Sequence, residues 1–116
     1  IDDKCLTAWN ALLATGLCDA FTAFGEEEYK HLAHKIVRWI SKFQIQEDGS
    51  LWRTRKNGKS TIDGFLEDYA AVIQAFVRFY EMTGDEFYLL KANLTAPRSL
   101  PEKWTSTTML FRQVIR

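Results

Sequence analysis

The stretch "GFLEDYAAVIQAFVRFYEMTGDEFYL", Gly64 to Leu89, decides the fold. Phe65, Tyr69, Val72, Phe76 and Tyr80 recur at steps of three and four, the period of an amphipathic helix. Gly84 breaks that run, because glycine takes the left-handed conformation that ends a helix without a Cβ penalty. Asp85 and Glu86 follow, where acidic side chains meet the unpaired N–H groups of a new helix. The spacing predicts a helix over about 65–82 and a second from Asp85 to about Asn93. Helix, glycine and acidic restart together make a helical hairpin.

The same order of signals stands fifty-nine residues upstream. Leu6 matches Phe65, Leu13 Val72, Leu17 Phe76, Phe21 Tyr80, Gly25 Gly84, Glu27 Glu86, Tyr29 Tyr88 and Ala33 Ala92. Apolar matches recur between any two amphipathic helices; the glycine, the acidic start and the tyrosine in phase carry the repeat. Helix one is expected over 6–24, with Leu6, Trp9, Leu13, Leu17, Ala20 and Phe24 as its buried stripe. Helix two follows Gly25, opened by Glu26 to Glu28, with Tyr29, Leu32, Ile36, Trp39 or Ile40, and Phe43 inward. Between the units, "DGSLWRTRKNGKS", Asp48 to Ser60, carries Asp-Gly and Asn-Gly turn signals and is expected to form a short strand or hairpin. Residues 1–93 thus read as two antiparallel helical hairpins, an all-α fold with a short β or irregular loop between them, and residues 94–116 as a tail in which Pro97 and Pro101 stop the fourth helix.

Composition narrows the function classes. At 47% hydrophobic residues, 116 residues are ample for one core. Fifteen basic residues balance fifteen acidic ones, so no overall field favours nucleic acid or an anionic membrane. No apolar run is long enough to span a bilayer, and no secretion signal is present. Cys5 and Cys18 lie thirteen positions apart on one expected helix, roughly 20 Å along its axis, too far for a disulfide. A reducing, cytoplasmic location is expected. The chain starts at Ile1 without methionine and reads as a piece of something longer.

The polar residues gather at helix starts. In the repeat, Trp9 and Asn10 stand where Asp68 and Tyr69 stand in the second unit, so the two clusters are expected on one rim, where helix N-termini favour anions and polar ligands. At about 100° per residue, Phe65, Tyr69, Val72, Ile73, Phe76 and Tyr80 share a face; Glu67 lies opposite and Asp68 at the edge, so the adjacent carboxylates are expected to point apart. Asp68 could serve catalysis, or accept hydrogen bonds from backbone or the Trp9 indole; Glu67 could serve the site or stay solvated. Trp9 suits a core or a sugar-stacking platform, and Asn10 a cap or a hydroxyl reader. His31 and His34 have no acidic or cysteine ligand placed with them, and no metal or other cofactor is expected. Arg53, Arg55, Lys56 and Lys59 make a basic loop, read as solvated charge with capture of an anionic group as the minor reading. Asn93-Leu94-Thr95 matches a glycosylation sequon but has no secretion signal to serve it.

"DDKCLTAWNALL", Asp2 to Leu13, and the stretch from Gly64 to Leu89 together resemble two motifs of the thioredoxin-fused proteins related to spermatogenesis-associated protein 20 and bacterial YyaL. With Asp48 to Ser60 the resemblance covers about 2–92. It implies a six-hairpin (α/α) toroid, as in six-hairpin glycosidases and N-acylglucosamine 2-epimerases, with first helices lining the inner wall. It further implies that Asp2, Asp3, Trp9, Asn10, Glu67, Asp68 and Tyr69 surround the cavity. The expected function is that of a fragment of a carbohydrate-handling protein, with a sugar as ligand. Glu67, Asp68 and Asp3 are the catalytic candidates, because glycoside hydrolysis needs two carboxylates roughly 5 to 10 Å apart across a bond. Asp2, Trp9, Asn10 and Tyr69 are the substrate-binding candidates. The alternative is a non-catalytic interaction or scaffold module. Two of six hairpins leave apolar flanks uncovered, so self-association, as a dimer, is expected, with helix three as the most exposed flank.

Overall fold

The computed structural model describes residues 5–99. A two-residue strand, β1 (Cys5–Leu6), leads into α1 (Thr7–Phe24). Next come α2 (Glu27–Trp39) and a π turn (Ile40–Gln44), the strands β2 (Trp52–Lys56) and β3 (Lys59–Asp63), then α3 (Leu66–Thr83) and α4 (Glu86–Ser99). The chain is mostly helical, with a small antiparallel sheet in the order β1-β2-β3.

The repeat is present in the first helix of each unit and in the start of the second. Helices α1 and α3 are both 18 residues long, and their ends lie fifty-nine positions apart. Each follows an extended residue, Leu6 or Phe65, and ends at a left-handed glycine, Gly25 at φ 70° or Gly84 at φ 76°. The two glycine N–H groups donate to Phe21 O and Tyr80 O at 2.7 and 2.6 Å, so each break also satisfies a carbonyl left open at the helix end. Arg78 of α3 pairs with Asp19 of α1, again fifty-nine apart, so the two helices run parallel and in step.

The linker is a hairpin. Asn57 (φ 51°) and Gly58 (φ 74°) form a two-residue turn with both residues left-handed, the geometry that matches strand twist and that Asn-Gly favours. Pairing Cys5↔Arg55 and Leu6↔Thr54 ties the start of α1 to β2, while β3 runs directly towards α3. Both first helices therefore begin at the sheet.

Packing corrects three expectations. The buried face of α1 is Thr7, Ala11, Ala14, Thr15 and Cys18, while Trp9, Leu13 and Phe24 are exposed. Helix α1 lies between α2 and α3, and small residues let helices approach closely where a leucine would hold them apart. Helix α3 is not an exposed flank. Tyr69, Val72, Ile73, Phe76, Val77 and Phe79 are all buried, because α1, α2 and α4 all contact α3. Finally, α4 does not stop before Pro97 but continues to Ser99. A proline in a helix loses one hydrogen bond and crowds the preceding turn, yet Thr95 and Ala96 are fully buried here. A Cβ on Gly49 would meet Leu94 O at 2.6 Å, so that turn of α4 sits directly on the Asp48-Gly49 bend. Tertiary burial holds the helix past the proline.

The π turn ends α2 at the sheet. Its wider winding keeps Ile40 and Gln44, four residues apart, both fully buried. Gln44 Nε2 donates to Thr7 Oγ1 (2.9 Å), which donates to Trp52 O (2.6 Å), while Ser60 Oγ donates to Gln44 Oε1 (2.6 Å) and Arg55 donates to Ser60 Oγ (2.9 Å). A fully buried amide needs such partners, because leaving one unmade costs about 1 to 3 kcal/mol. Among the described residues, no helix is long and apolar enough to cross a membrane.

Candidate functional site

The starts of α1 and α3, with β2 above them, enclose a cleft of about 430 Å³. Trp9 and Leu12 of α1 form one wall, and Glu67, Asp68 and Gln74 of α3 the other; Arg53 of β2 closes the end. The repeat thus brings Trp9 and Asp68 together as expected.

Arg53 organises the acidic wall. Its Nη1 donates to Glu67 Oε1 at 2.9 Å and to Asp68 Oδ2 at 3.1 Å, and its guanidinium lies over the Phe65 ring at 4.3 Å. The hydrogen bond to Glu67 first, and the charge of Asp68 after it, hold Arg53 further in its charged form, against partial desolvation. The neighbouring carboxylates therefore converge on one cation instead of pointing apart, because Arg53 reaches between them from the sheet. Arg53 accordingly is not a solvated loop charge. Only its place in a hairpin that folds over the next helix could have announced this. Local backbone geometry assists: Ile62, opposite Arg53, has φ 66°, and the Arg53–Ile62 pair is missing from an otherwise regular β2–β3 ladder. A β-branched residue in that region is strained.

The two carboxylates differ in what they are free to do. Asp68 is 1% exposed, and its Oδ2 also accepts the Phe65 N–H at 2.7 Å, capping α3. Oδ1 has no partner among the described residues. Glu67 extends into solvent beyond Arg53. Tyr69 is buried, and its hydroxyl accepts the Leu51 N–H at 3.1 Å, so it fixes the sheet to α3 outside the cleft. Asn10 Nδ2 donates to Leu6 O at 2.8 Å and secures the first turn of α1. Of the expected site residues, Trp9, Glu67 and Asp68 meet at the cleft, while Asn10 and Tyr69 hold backbone. Asp2 and Asp3 lie outside the described residues.

The remaining candidates sit elsewhere. His34 stacks on Phe79 at 5.4 Å between ring centroids, and among the described residues no three His, Cys, Asp or Glu side chains could hold a metal. Cys5 is a free exposed thiol and Cys18 a free buried one.

No family model matches the chain. An uncharacterised protein of Caenorhabditis elegans is 35% identical over 100 residues, 79% of this chain and 14% of that protein. Spermatogenesis-associated protein 20 of Rattus norvegicus is 30% identical over 98 residues, 77% of this chain and 12% of that protein. The human protein of that name is 28% identical over the same span. The chain therefore spans only 12 to 14% of the length of the curated relatives it matches.

Proposed function

We infer, from the homology to spermatogenesis-associated protein 20 over about 77% of this chain, that the two hairpins are a sector of a carbohydrate-handling (α/α)6 toroid in the manner of bacterial YyaL, with the rim cleft as its sugar site. The observation that carries this reading is the buried Asp68, which lines the same cleft as an indole that is 72% exposed. A sugar ring presents C–H groups to an aromatic face and hydroxyls to fixed acceptors, and Trp9 with Asp68 offers both. Glu67, whose side chain is 65% exposed, is the proposed acid or base of a glycosidase-type reaction, with Asp3, outside the described residues, as the proposed second carboxylate. Epimerase chemistry of the histidine type is less well supported, since His34 stacks on Phe79 and does not line the cleft. The test is titration with mono- and disaccharides, followed by tryptophan fluorescence. A saturable change that Trp9→Ala removes is the expected result; no change in the native chain at tens of millimolar sugar would overturn the reading.

A second reading, a helical interaction module that pairs with a second copy, is favoured by one observation: Trp9, Leu12 and Leu13 project from α1 with more than half their surface open. Apolar patches of that kind are normally covered in association. Light scattering across a concentration series tests it, and a monomer at every concentration sinks it. The free thiols of Cys5 and Cys18 support a reducing, cytoplasmic location. A tagged protein found in the secretory pathway would contradict that.

A further inference from the structure

A second concavity, of about 530 Å³, lies between α2 with its π turn and the first turns of α4. It is chemically unlike the rim. Arg38, Lys42 and Lys91 line it together with His34, Ser41, Asp85 and Tyr88. Three permanent cations thus face one carboxylate, in a chain whose formal net charge is zero. Asp85 is already engaged, since its Oδ1 accepts the Phe87 N–H at 3.1 Å and caps α4. Among the described residues, none of the three cations forms an ion pair.

Tyr88 distinguishes this site from an ordinary solvated basic surface. It is 2% exposed, its ring held edge-on by Phe76, Phe79 and Phe87 at 4.9 to 5.4 Å. Its hydroxyl nevertheless has no hydrogen-bond partner among the described residues. The ring is fixed by its neighbours, and the hydroxyl is not a buried orphan, since among the described residues Thr95 Oγ1 is the buried side-chain atom without a partner. It is a positioned donor on the wall of the concavity that Tyr88 lines. The backbone points the same way: Ser41 and Lys42 sit in the π turn, a rare winding that recurs at functional sites.

We propose that this concavity binds the phosphoryl group of a phosphorylated small molecule. Arg38, Lys42 and Lys91 neutralise the dianion, and Tyr88, with Ser41, donates hydrogen bonds to its oxygens. A phosphoryl group carries close to two negative charges and three acceptor oxygens. Three cations and two hydroxyls match that demand better than they match a single carboxylate. Half-exposed Phe87 offers apolar surface for the organic part. The site shares no lining residue with the rim cleft, so it stands or falls apart from the sugar reading.

The experiment titrates the chain with glucose 6-phosphate, inorganic phosphate and glucose, followed by amide chemical shifts at constant ionic strength. Glucose 6-phosphate is expected to shift residues of the π turn and α4, and to bind at least threefold more tightly than inorganic phosphate. Arg38→Ala is expected to weaken binding tenfold or more. Tyr88→Phe, which keeps the buried ring, is expected to weaken it about fivefold. Circular dichroism verifies that each variant is folded. Equal response to glucose and glucose 6-phosphate, or full binding by a folded Arg38→Ala variant, would overturn the site. Unchanged binding by Tyr88→Phe would overturn the role of the hydroxyl, and equal affinity for the two phosphates the organic ligand.

Discussion

The first helices of the two hairpin units share length, phase and a left-handed glycine at the end, yet they bury different kinds of residue. In the second unit the large apolar side chains of α3 point inward; in the first, the inward face of α1 is small and its large side chains look outward. Leu13 and Val72 are equivalent by repeat, but one is 55% exposed and the other fully buried. A repeat therefore fixes the helices and their ends, while position among neighbours fixes which face is core. Helix α3 is touched by three helices and α1 by two.

The sharpest way to break this comparison is to truncate equivalent positions. Phe76→Ala, at a fully buried ring, is expected to cost about 3 to 5 kcal/mol in urea denaturation, and Leu17→Ala, at the half-buried equivalent position, less than half of that. Equal losses would mean that the units are packed alike. Next comes Cys18, whose repeat equivalent is Val77. Burial first, then the charge of Asp19, with Arg78 working the other way, pushes the Cys18 thiol from 9.0 up to about 11. Between those values the folded state keeps a proton that the unfolded state has lost, so stability falls as pH rises through the window. The loss tends towards about 2 to 3 kcal/mol, and Cys18→Val is expected to flatten the profile.

A smaller contrast separates Asp68 from Trp9 at the rim. Asp68→Ala uncaps α3 and leaves Arg53 with one partner, an expected loss of about 2 kcal/mol. Trp9→Ala is expected to stay within about 0.5 kcal/mol. A large loss from Trp9→Ala would show that its indole is packed, which removes it as a sugar platform. The smallest stability effect is expected for Leu13→Ala, again within about 0.5 kcal/mol, but with weaker self-association by light scattering. A loss near that of a core leucine would place the outer face of α1 inside the fold.

Much of this architecture was legible because it rests on local chemistry. Gly25, Gly84 and Asn57-Gly58 need left-handed backbone, and the acidic pairs after each glycine mark helix starts. The buried face of α1 was not legible, since periodicity locates apolar residues without saying how many neighbours a helix has. Pro97 misled for a related reason: its local cost is real, but the burial of Thr95 and Ala96 outweighs it. At the rim, the pairing of Trp9 with Asp68 followed from the repeat. The role of Arg53 did not, because its two carboxylate partners lie 14 and 15 residues away, across a hairpin whose fold-over no sequence pattern encodes. The basic concavity escaped for the same reason, as Arg38 and Lys91 come to one concavity only after α2 and α4 have both packed on α3.

The hydrogen-bonded chain from Arg55 through Ser60, Gln44 and Thr7 to Trp52 also sets an order of events. The β2–β3 hairpin and the α3–α4 pair close over short distances, on the microsecond scale of local structure. The Thr7–Trp52 contact joins residues 45 apart, and closing a loop of that length costs roughly 3 kcal/mol of chain entropy before any contact repays it. The first unit, although made first, is therefore expected to dock last. Its small-residue face closes fully only when α3 joins α2 against it, and Gln44, with both ends of its amide committed, acts as the latch that fastens the early half of the chain to the late one.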